Sequence, residues 1–350
     1  MCAPPPHVAA RHHPLAIEHV DAPHRWHAVG DFALESGETI RDCGISWVEH
    51  GIDDPSGART IVGFTAIGAT HHRLDFLIGP GRALDTRRYR IIVIDALGNG
   101  LSTSPSNSRH HPGPAFPRIA IRDMIAAQHL LLTGVLGLAR VHAVIGASMG
   151  GMQALQWAVS HPGVADRVVA MTPMARTTPW SRAINEAARR ALTGDPAFAG
   201  GHYAGQPARG WRDWAVVMRV IAARTPAALE EVRDFDAWLA PLVDGILAIG
   251  VDANDYIAQS RAYDAHDVGT TPGFRGDTRA ALASIAAPVL VAAPPLDLYN
   301  PSEAAQAAAA AIPRGRFIEI PSILGHHAAT AMDSHAAAFL DDRIGRFLAE

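Results

Sequence analysis

The chain has 350 residues, of which 48% are hydrophobic and 18% are charged, so it is long enough to bury the core of one large α/β domain. Its formal net charge of -4 argues against a general nucleic-acid-binding protein, because no basic run offsets that charge. The chain contains no lysine, which excludes Schiff-base chemistry and the phosphate-binding lysine of a P-loop.

The cysteine content and the hydropathy predict a cytoplasmic protein. The two cysteines are Cys2 and Cys43, and the first lies in a Pro- and His-rich terminus, so we expect no structural disulfide. Prolines interrupt the first twenty residues, which lack the continuous apolar segment of a signal peptide. We also find no stretch long and apolar enough to span a membrane.

The histidine content raises the question of a metal site. Eight of the 19 histidines form adjacent pairs at 12–13, 71–72, 110–111 and 326–327. Adjacent side chains rarely share one face of an element, and neither an H-E-x-x-H motif nor a Cys/His ligand spacing occurs. We therefore expect no metal.

The first part of the chain predicts an arm followed by a small antiparallel unit. Residues 1–28 are rich in proline and histidine and predict an extended or poorly ordered N-terminal arm. Short segments at 31–34, 39–40 and 45–49 predict the strands of a meander, with a turn at Ser36-Gly37.

Apolar periodicity then predicts alternating strands and helices. In chain order these are strands 60–66 and 89–96, a helix over 119–138, strand 141–145, a helix over 149–160, and strand 167–171. The same alternation returns near the C-terminus as strand 288–293, helix 302–312, strand 316–320 and helix 330–349. Such alternation predicts a mostly parallel sheet covered by helices on both faces.

The segment 174–286 interrupts this alternation. Its patterns are those of consecutive helices, at 181–192, 211–223, 226–239 and 253–265. It is too long to be a loop. We interpret it as a helical cap inserted into an α/β core formed by residues 29–173 and 287–350.

A candidate nucleophile lies between the strand 141–145 and the helix 149–160. There the chain reads Gly146-Ala147-Ser148-Met149-Gly150, a G-x-S-x-G motif in the strand–turn–helix context of a nucleophile elbow. A serine at the tip of so tight a turn forces its neighbours two before and two after against the strand and helix, so both must be glycine. The alternative is a glycine-rich turn with a solvated serine.

A nucleophilic serine needs a base, and the base needs an orienting carboxylate. In the α/β-hydrolase fold they follow in the order Ser, Asp/Glu, His. Asp297 lies in the loop after the strand that follows the cap, and His326 lies in the loop after the last strand. Both loops are at carboxyl ends of strands, where open α/β sheets build their sites. The chain therefore predicts an α/β-hydrolase fold with a triad of Ser148, Asp297 and His326.

An oxyanion hole is expected beside the nucleophile. One donor should be the backbone N–H of Met149, directly after Ser148. The second should come from the Gly- and Ala-rich loop after the strand 60–66, near Ile67.

Several stretches show a more specific likeness. The chain resembles the homoserine O-acetyltransferase family of the α/β-hydrolase superfamily from Asp31 onward, although the likeness is patchy after about residue 210. The matching segments are FLIGPGRALDT (76–86), FPRIAIRDMIAAQHLLL (116–132), VIGASMGGMQALQWA (144–158) and NEAARRALTGDPAF (185–198). GHHAA (325–329) stands where the family has a Gly-His-Asp segment.

The resemblance implies acyl transfer in two steps through an acyl-serine, with a helical cap that forms a homodimer contact. It supports Ser148 as nucleophile, Asp297 as orienting acid and His326 as base. It also suggests Arg189 as the arginine that holds the substrate carboxylate in the family, and the alternative there is a surface arginine on a helix.

Three departures concern amino-acid recognition. Where the family has an aspartate that binds the homoserine amino group, this chain has His327, which offers no fixed negative charge. The family's glycine-rich segment after the strand 89–96 is replaced by ALGNGLSTSPSN, and the cap lacks the expected tyrosine segment. A site without the counter-charge for an ammonium should lose most of its preference for that substrate.

The favoured interpretation is therefore a serine esterase acting on small acetyl-type esters. The alternatives are a homoserine O-acetyltransferase using acetyl-CoA as co-substrate, an acetyltransferase for another small alcohol, and a catalytically silent receptor on the same fold. The esterase and the two acetyltransferase interpretations predict a small-molecule ester or alcohol as the only partner besides a second subunit. They also predict no permanently bound cofactor.

Overall fold

The structure is a computed structural model that describes residues 20–350. An eight-stranded sheet carries the fold, in the order β1-β2-β4-β3-β5-β6-β7-β8. The strands are β1 His24–Ala33, β2 Thr39–Gly51, β3 Thr60–Phe64, β4 Arg90–Ile94, β5 Ala143–Ala147, β6 Val168–Met171, β7 Val289–Ala293 and β8 Gly315–Glu319. β1, β2 and β4 pair antiparallel, and the other pairs are parallel. The predicted mostly parallel α/β-hydrolase sheet is confirmed.

Nine α-helices lie within the described part of the chain. They are α1 Ile121–Leu130, α2 Met149–Ser160, α3 Pro179–Thr193, α4 Ala208–Ala215, α5 Phe235–Ile249, α6 Ala253–Asp264, α7 Thr278–Ala283, α8 Ser302–Ala311 and α9 Ser334–Ala349. None of the helices in residues 20–350 is both long and apolar enough to cross a membrane.

The parallel strands are apolar on both faces because helices cover both faces. Ile61 to Phe64 and Ile91 to Ile94 are fully buried, and their side chains alternate between two core clusters. The larger cluster joins the sheet to α1 and α2 and to the helices between β6 and β7. The smaller one lies under α9. Continuous apolar strands are the expected pattern for such a doubly covered sheet.

The N-terminal meander is instead one long hairpin. The predicted segments 39–40 and 45–49 belong to the single strand β2, and β1 begins at His24, inside the predicted arm. The register shifts on both sides of Gly30, so bulges break the alternation that would mark β1 as a strand. Most of the predicted arm, residues 1–19, lies outside the described residues.

Two predicted helices end differently. The one predicted over 119–138 is α-helical only to Leu130 and continues as a π-helical segment, Leu131–Val135. The helix predicted over 226–239 is wrong, because a short 3-10 turn, Ala227–Leu229, is followed by α5. The side chain of Asp234 accepts a hydrogen bond from the N–H of Ala237 and so starts α5 at a new place.

Only helices and loops fill the sequence between β6 and β7, apart from an isolated bridge between Arg176 and Asp267. The helices α3 to α7 occupy this segment, with α4 continuing into a π-helical stretch, Val216–Ala222. The division into core and cap, and a homodimer through the cap, stay predictions.

Candidate active site

Ser148 occupies a strained turn between β5 and α2. Its backbone has φ 57° and ψ -123°, which L residues rarely adopt. A Cβ on Gly146 would lie 2.2 Å from the backbone of Gly150, and one on Gly150 would lie 2.4 Å from the carbonyl oxygen of Phe64. The glycines of the motif are therefore required by close backbone packing, as the sequence predicts.

The three predicted triad residues meet at the carboxyl ends of the strands. His326 Nε2 lies 2.8 Å from Ser148 Oγ, and His326 Nδ1 lies 2.7 Å from Asp297 Oδ2. With the proton on Nδ1, the imidazole donates to the carboxylate and accepts from the serine hydroxyl. Their exposed fractions are 3% for Ser148, 3% for Asp297 and 8% for His326, so the chain of hydrogen bonds is almost dry. This arrangement can activate a serine for attack on a carbonyl.

The loop that carries Asp297 fixes its carboxylate. Oδ1 accepts hydrogen bonds from the N–H groups of Tyr299 and Asn300, both at 2.9 Å, which leaves Oδ2 for the imidazole. The side chain of Asn300 in turn donates to the carbonyl of Thr172, after β6, at 2.7 Å. These contacts anchor the acid loop to the neighbouring strand end.

Two buried tyrosines support the histidine, and the sequence patterns did not indicate them. The ring of Tyr299 contacts the imidazole of His326 edge-on, with centroids 5.0 Å apart, and Tyr263 stacks on Tyr299 at 5.4 Å. The hydroxyl of Tyr299 donates to Asn185 of α3 at 2.6 Å, and that of Tyr263 donates to Asn300. No sequence pattern could indicate this pair, because Tyr263 and Tyr299 are far apart in sequence. They come together only because α6 packs beside the loop that carries Asp297.

The two predicted oxyanion donors lie beside the nucleophile. Met149 is the first residue of α2, so its N–H has no acceptor within the helix. Ile67 follows β3 and lines the cavity that contains Ser148. In residues 20–350, neither N–H has a hydrogen-bond acceptor outside the regular elements. Both groups are thus available to a ligand, and their assignment stays a prediction.

A cavity of about 390 Å³ opens above Ser148 and His326. Its walls are mainly apolar. One part comes from the loops after β3 and β8, and the other comes from α4, the π-helical stretch, α5, α6 and the link between α5 and α6. In this second part the larger apolar side chains are Trp211, Trp214, Met218, Ile246, Val251 and Tyr256. A cavity of this size suits a small organic substrate.

Arg189 does not line this cavity. Its guanidinium pairs with Asp264 at 2.7 Å and Glu186 at 3.0 Å, and donates to the hydroxyl of Ser260 at 3.2 Å. The structure therefore brings Arg189 into contacts between α3 and α6 and not to the side of Ser148. Its predicted role in substrate binding is untested.

His327, by contrast, lines the cavity next to His326. Burial, and then the positive charges of Arg219 and Arg224, hold the pKa of His327 well below its ordinary value. The side chain is therefore neutral at pH 7. Its Nδ1 lies 3.0 Å from the sulfur of Met332. A neutral imidazole among arginines offers no counter-charge to an ammonium.

Two arginines in the cavity wall were missed by the sequence analysis. Arg73 belongs to the 3-10 helix His71–Leu77 after the oxyanion loop, and Arg219 belongs to the stretch Val216–Ala222. A signal was present for Arg219, since it is a lone cation in the apolar run from Val216 to Ala222. Arg73 had none beyond its place after the strand 60–66.

A second polar cluster contains His24, His71 and Asp95. Their potential ligand atoms lie within 4.8 Å of one another, so these residues are the group that could hold a metal ion in the described part of the chain. Asp95 Oδ2 also lies 3.2 Å from each imidazole and accepts from the Ser46 hydroxyl at 2.9 Å. Asp95 Oδ1 accepts from Asn99 at 2.9 Å. Asp95 thus accepts hydrogen bonds from several neighbours, and the expectation of no metal stays a prediction.

Comparison with known proteins gives a consistent family assignment. A sequence profile described as "alpha/beta hydrolase fold" matches residues 68–216. A homoserine O-acetyltransferase of Chlorobaculum parvum is 33% identical over 270 residues, which cover 72% of this chain and 74% of that protein. An ethyl acetate hydrolase of Pseudomonas veronii is 29% identical over 336 residues, covering 91% of this chain and 94% of that protein.

A solved structure is similar over nearly the whole length. The acetyl esterase MekB superposes with a TM-score of 0.88 at 28% identity, covering 94% of this chain and 97% of that one. The relatives thus include both acetyltransferases and acetyl esterases. The chain belongs to the homoserine O-acetyltransferase-like family of the α/β-hydrolase superfamily, and it is an enzyme of the esterase or O-acetyltransferase type.

Proposed function

We propose that this enzyme hydrolyses small acetyl-type esters through an acyl-enzyme on Ser148. The observation that carries the proposal is the chain Asp297–His326–Ser148 at the floor of a cavity in which His327, neutral and surrounded by arginines, replaces a carboxylate. The first part supports acyl transfer, and the second disfavours homoserine as acceptor. The likeness to an ethyl acetate hydrolase over 91% of the chain adds further support.

The first half of the reaction forms the acyl-enzyme. His326 Nε2 takes the proton of the Ser148 hydroxyl as Oγ attacks the ester carbonyl. The resulting oxyanion accepts hydrogen bonds from the N–H groups of Met149 and Ile67. As the tetrahedral intermediate collapses, the C–O bond to the alcohol breaks and His326 returns the proton to the leaving alkoxide. Asp297 holds the imidazole in the required tautomer and stabilises its positive charge.

The second half uses water as acceptor. His326 takes a proton from a water molecule, which attacks the acyl carbonyl and forms a second tetrahedral intermediate. The bond to Oγ then breaks, Ser148 regains the proton from His326, and the acid is released. In a transferase the same step would use an alcohol in place of water, so the two activities share the whole of this machinery.

The alternative is a homoserine O-acetyltransferase that uses acetyl-CoA, or an acetyltransferase for another small alcohol. It is favoured by the 33% identity to acetyltransferases such as that of Chlorobaculum parvum. A transferase for homoserine would need another group to bind the ammonium, since His327 has no negative charge.

The test is the fate of the acyl group. Ethyl acetate and, separately, acetyl-CoA are supplied with and without homoserine, and the products are identified by mass. We expect acetate and ethanol from the ester, no acetyl-homoserine from either donor, and a loss of about 10⁴-fold or more in kcat for Ser148→Ala. Rapid formation of acetyl-homoserine from acetyl-CoA would overturn the proposal in favour of the alternative.

A fluorophosphonate probe separates these enzymes from a catalytically silent receptor. We expect the probe to label the wild-type protein on Ser148 and to leave Ser148→Ala unlabelled, because only an activated serine attacks it. A wild-type protein that stays unlabelled would contradict the proposed mechanism.

A further inference from the structure

We propose that the cavity selects acetyl esters whose alcohol part carries a carboxylate, and that Arg73 is a specificity-determining residue for that anion. This inference rests on the proposed ester hydrolysis and names its substrate class. It follows from the charges that line the cavity.

Two arginines face the same cavity as the nucleophile. Arg73 and Arg219 both line it, together with Ser148 and His326. The guanidinium of Arg219 lies 5.8 Å from the ring of Trp214, which also lines the cavity. Burial, and then the charge of Arg219, lowers the pKa of Arg73 to about 10. A guanidinium is effectively always protonated in proteins, so both arginines are charged at pH 7. The effect of Arg219 on the pKa of Arg73 indicates that the two charges repel each other.

Neither guanidinium has an acidic partner in the part of the chain that the structure describes. By contrast, Arg90 pairs with Glu49 at 2.8 Å and Arg189 pairs with Asp264 at 2.7 Å. Arg73 and Arg219 form no ion pair and no side-chain hydrogen bond within residues 20–350. Two adjacent cations without a counter-charge are costly unless a ligand supplies one.

The acidic residue that lines the cavity, Asp75, already has hydrogen-bond partners. Asp75 lines the cavity, but its Oδ2 accepts from the N–H of Val20 at 2.6 Å and lies 2.7 Å from Nδ1 of His72. His327 is neutral for the reasons given above. Because two arginines and only one carboxylate, that of Asp75, line the cavity, its side chains carry a net positive charge before a substrate enters.

The chemistry of the walls defines the ligand. Arginine binds a carboxylate through two parallel N–H···O bonds, which are stronger than bonds between neutral groups. The tryptophans and Met218 suit an apolar stem between that carboxylate and the ester. An ammonium on the same stem would meet two positive charges. The expected substrate is an anionic ester of an alcohol that lacks an amino group.

The test compares three acetyl esters of equal chain length. They are those of 4-hydroxybutanoate, its isosteric carboxamide and 4-aminobutanol, and kcat/KM is measured for the wild type, Arg73→Met and Arg73→Lys. We expect the wild type to prefer the carboxylate over the carboxamide by about tenfold or more. Arg73→Met should reduce this preference by about tenfold, mainly through KM, and Arg73→Lys should retain part of it.

The matched control is Arg140→Met, because Arg140 is exposed and pairs with Asp166 outside the cavity. It should leave the preference unchanged. Equal kcat/KM for carboxylate and carboxamide in the wild type would overturn the proposal, and so would an Arg73→Met variant that slows both esters equally.

Failure of the proposed function gives a different result. In that case none of the three esters is hydrolysed and the fluorophosphonate does not label Ser148. Calorimetry then still tests whether the cavity binds an anion. The binding of 4-hydroxybutanoate and of its carboxamide to Ser148→Ala is measured and compared. Tighter binding of the carboxylate supports it, and equal or absent binding overturns it.

Discussion

Charged side chains around this site are balanced in two different ways. Arg189 is balanced within the protein by Asp264 and Glu186, and its side chain is 13% exposed. Arg73 and Arg219 face the cavity and have no such partner among the described residues. An arginine of the first kind is expected to stabilise the fold, and one of the second kind to bind a ligand. The family resemblance alone does not distinguish them.

The role of Arg189 can be tested by removing its charge. Arg189→Met leaves the carboxylate of Asp264, whose side chain is 12% exposed, without its cationic partner. We expect the free energy of unfolding to fall by on the order of 2 kcal/mol in urea titrations, while KM changes less than in Arg73→Met. Arg190→Met is the control, because Arg190 is 78% exposed. A large rise in KM at unchanged stability would instead support the substrate-binding role.

At the scale of elements, the turn from β5 into α2 determines where the serine stands. Gly150 packs against the carbonyl of Phe64 at the end of β3, so the elbow and the oxyanion loop are in direct backbone contact. Gly151 is similarly confined, since its Cβ would lie 2.7 Å from the carbonyl of Met171. Three strand ends thus hold Ser148 in its unusual backbone conformation.

This packing predicts a sharp contrast between two glycine substitutions. Gly150→Ala places a methyl group 2.4 Å from a backbone oxygen, so we expect a loss of about 3 kcal/mol in stability together with most of the activity. Gly134→Ala is the control, because nothing lies within 4 Å of the added methyl group. It should leave stability unchanged or raise it by up to about 1 kcal/mol. Equal melting temperatures for the two variants would contradict this account of the elbow.

We expect the stability of the protein to depend on histidines that are buried in neutral form. His266 is 5% exposed and lies between α6 and β7, where its carbonyl accepts from the N–H of Thr177. Burial lowers the pKa of His266 to about 3 from its ordinary value of 6.5. Between these two values the unfolded chain binds more protons than the folded one, so stability rises with pH and levels off above 6.5.

The pH dependence of unfolding tests this point. Between pH 7.5 and pH 5.0, His266 alone should cost the folded state roughly 2 kcal/mol. His266→Gln should therefore lose less stability than the wild type over that range, by about this amount, when both are unfolded in urea. Identical pH dependence in the two proteins would show that His266 does not contribute.

The fold class, the family and the three residues that meet as the predicted triad could all be inferred from the sequence. Apolar strand runs and the glycines around Ser148 reflect packing between residues that are close in sequence or in regular elements. They can therefore be recognised from the sequence. The order of Ser148, Asp297 and His326 follows the order of the strand ends, which is why their meeting was predictable. The hairpin β1–β2 was harder to predict, because bulges around Gly30 interrupt the alternation of apolar and polar residues in β1.

Which charged side chains face the cavity could be seen only in the folded structure. The sequence places Arg189 and Arg190 side by side. It singles out Arg219 only by its isolated position in an apolar run, and it gives no reason to select Arg73. Whether an arginine is paired or open to a ligand depends on which side chains other helices bring near it. Asp264 of α6 reaches Arg189 of α3, and nothing acidic in residues 20–350 pairs with Arg73 or Arg219. The pairing of a charged side chain depends on which residues are close to it in space, and the spacing of residues along the chain does not show this.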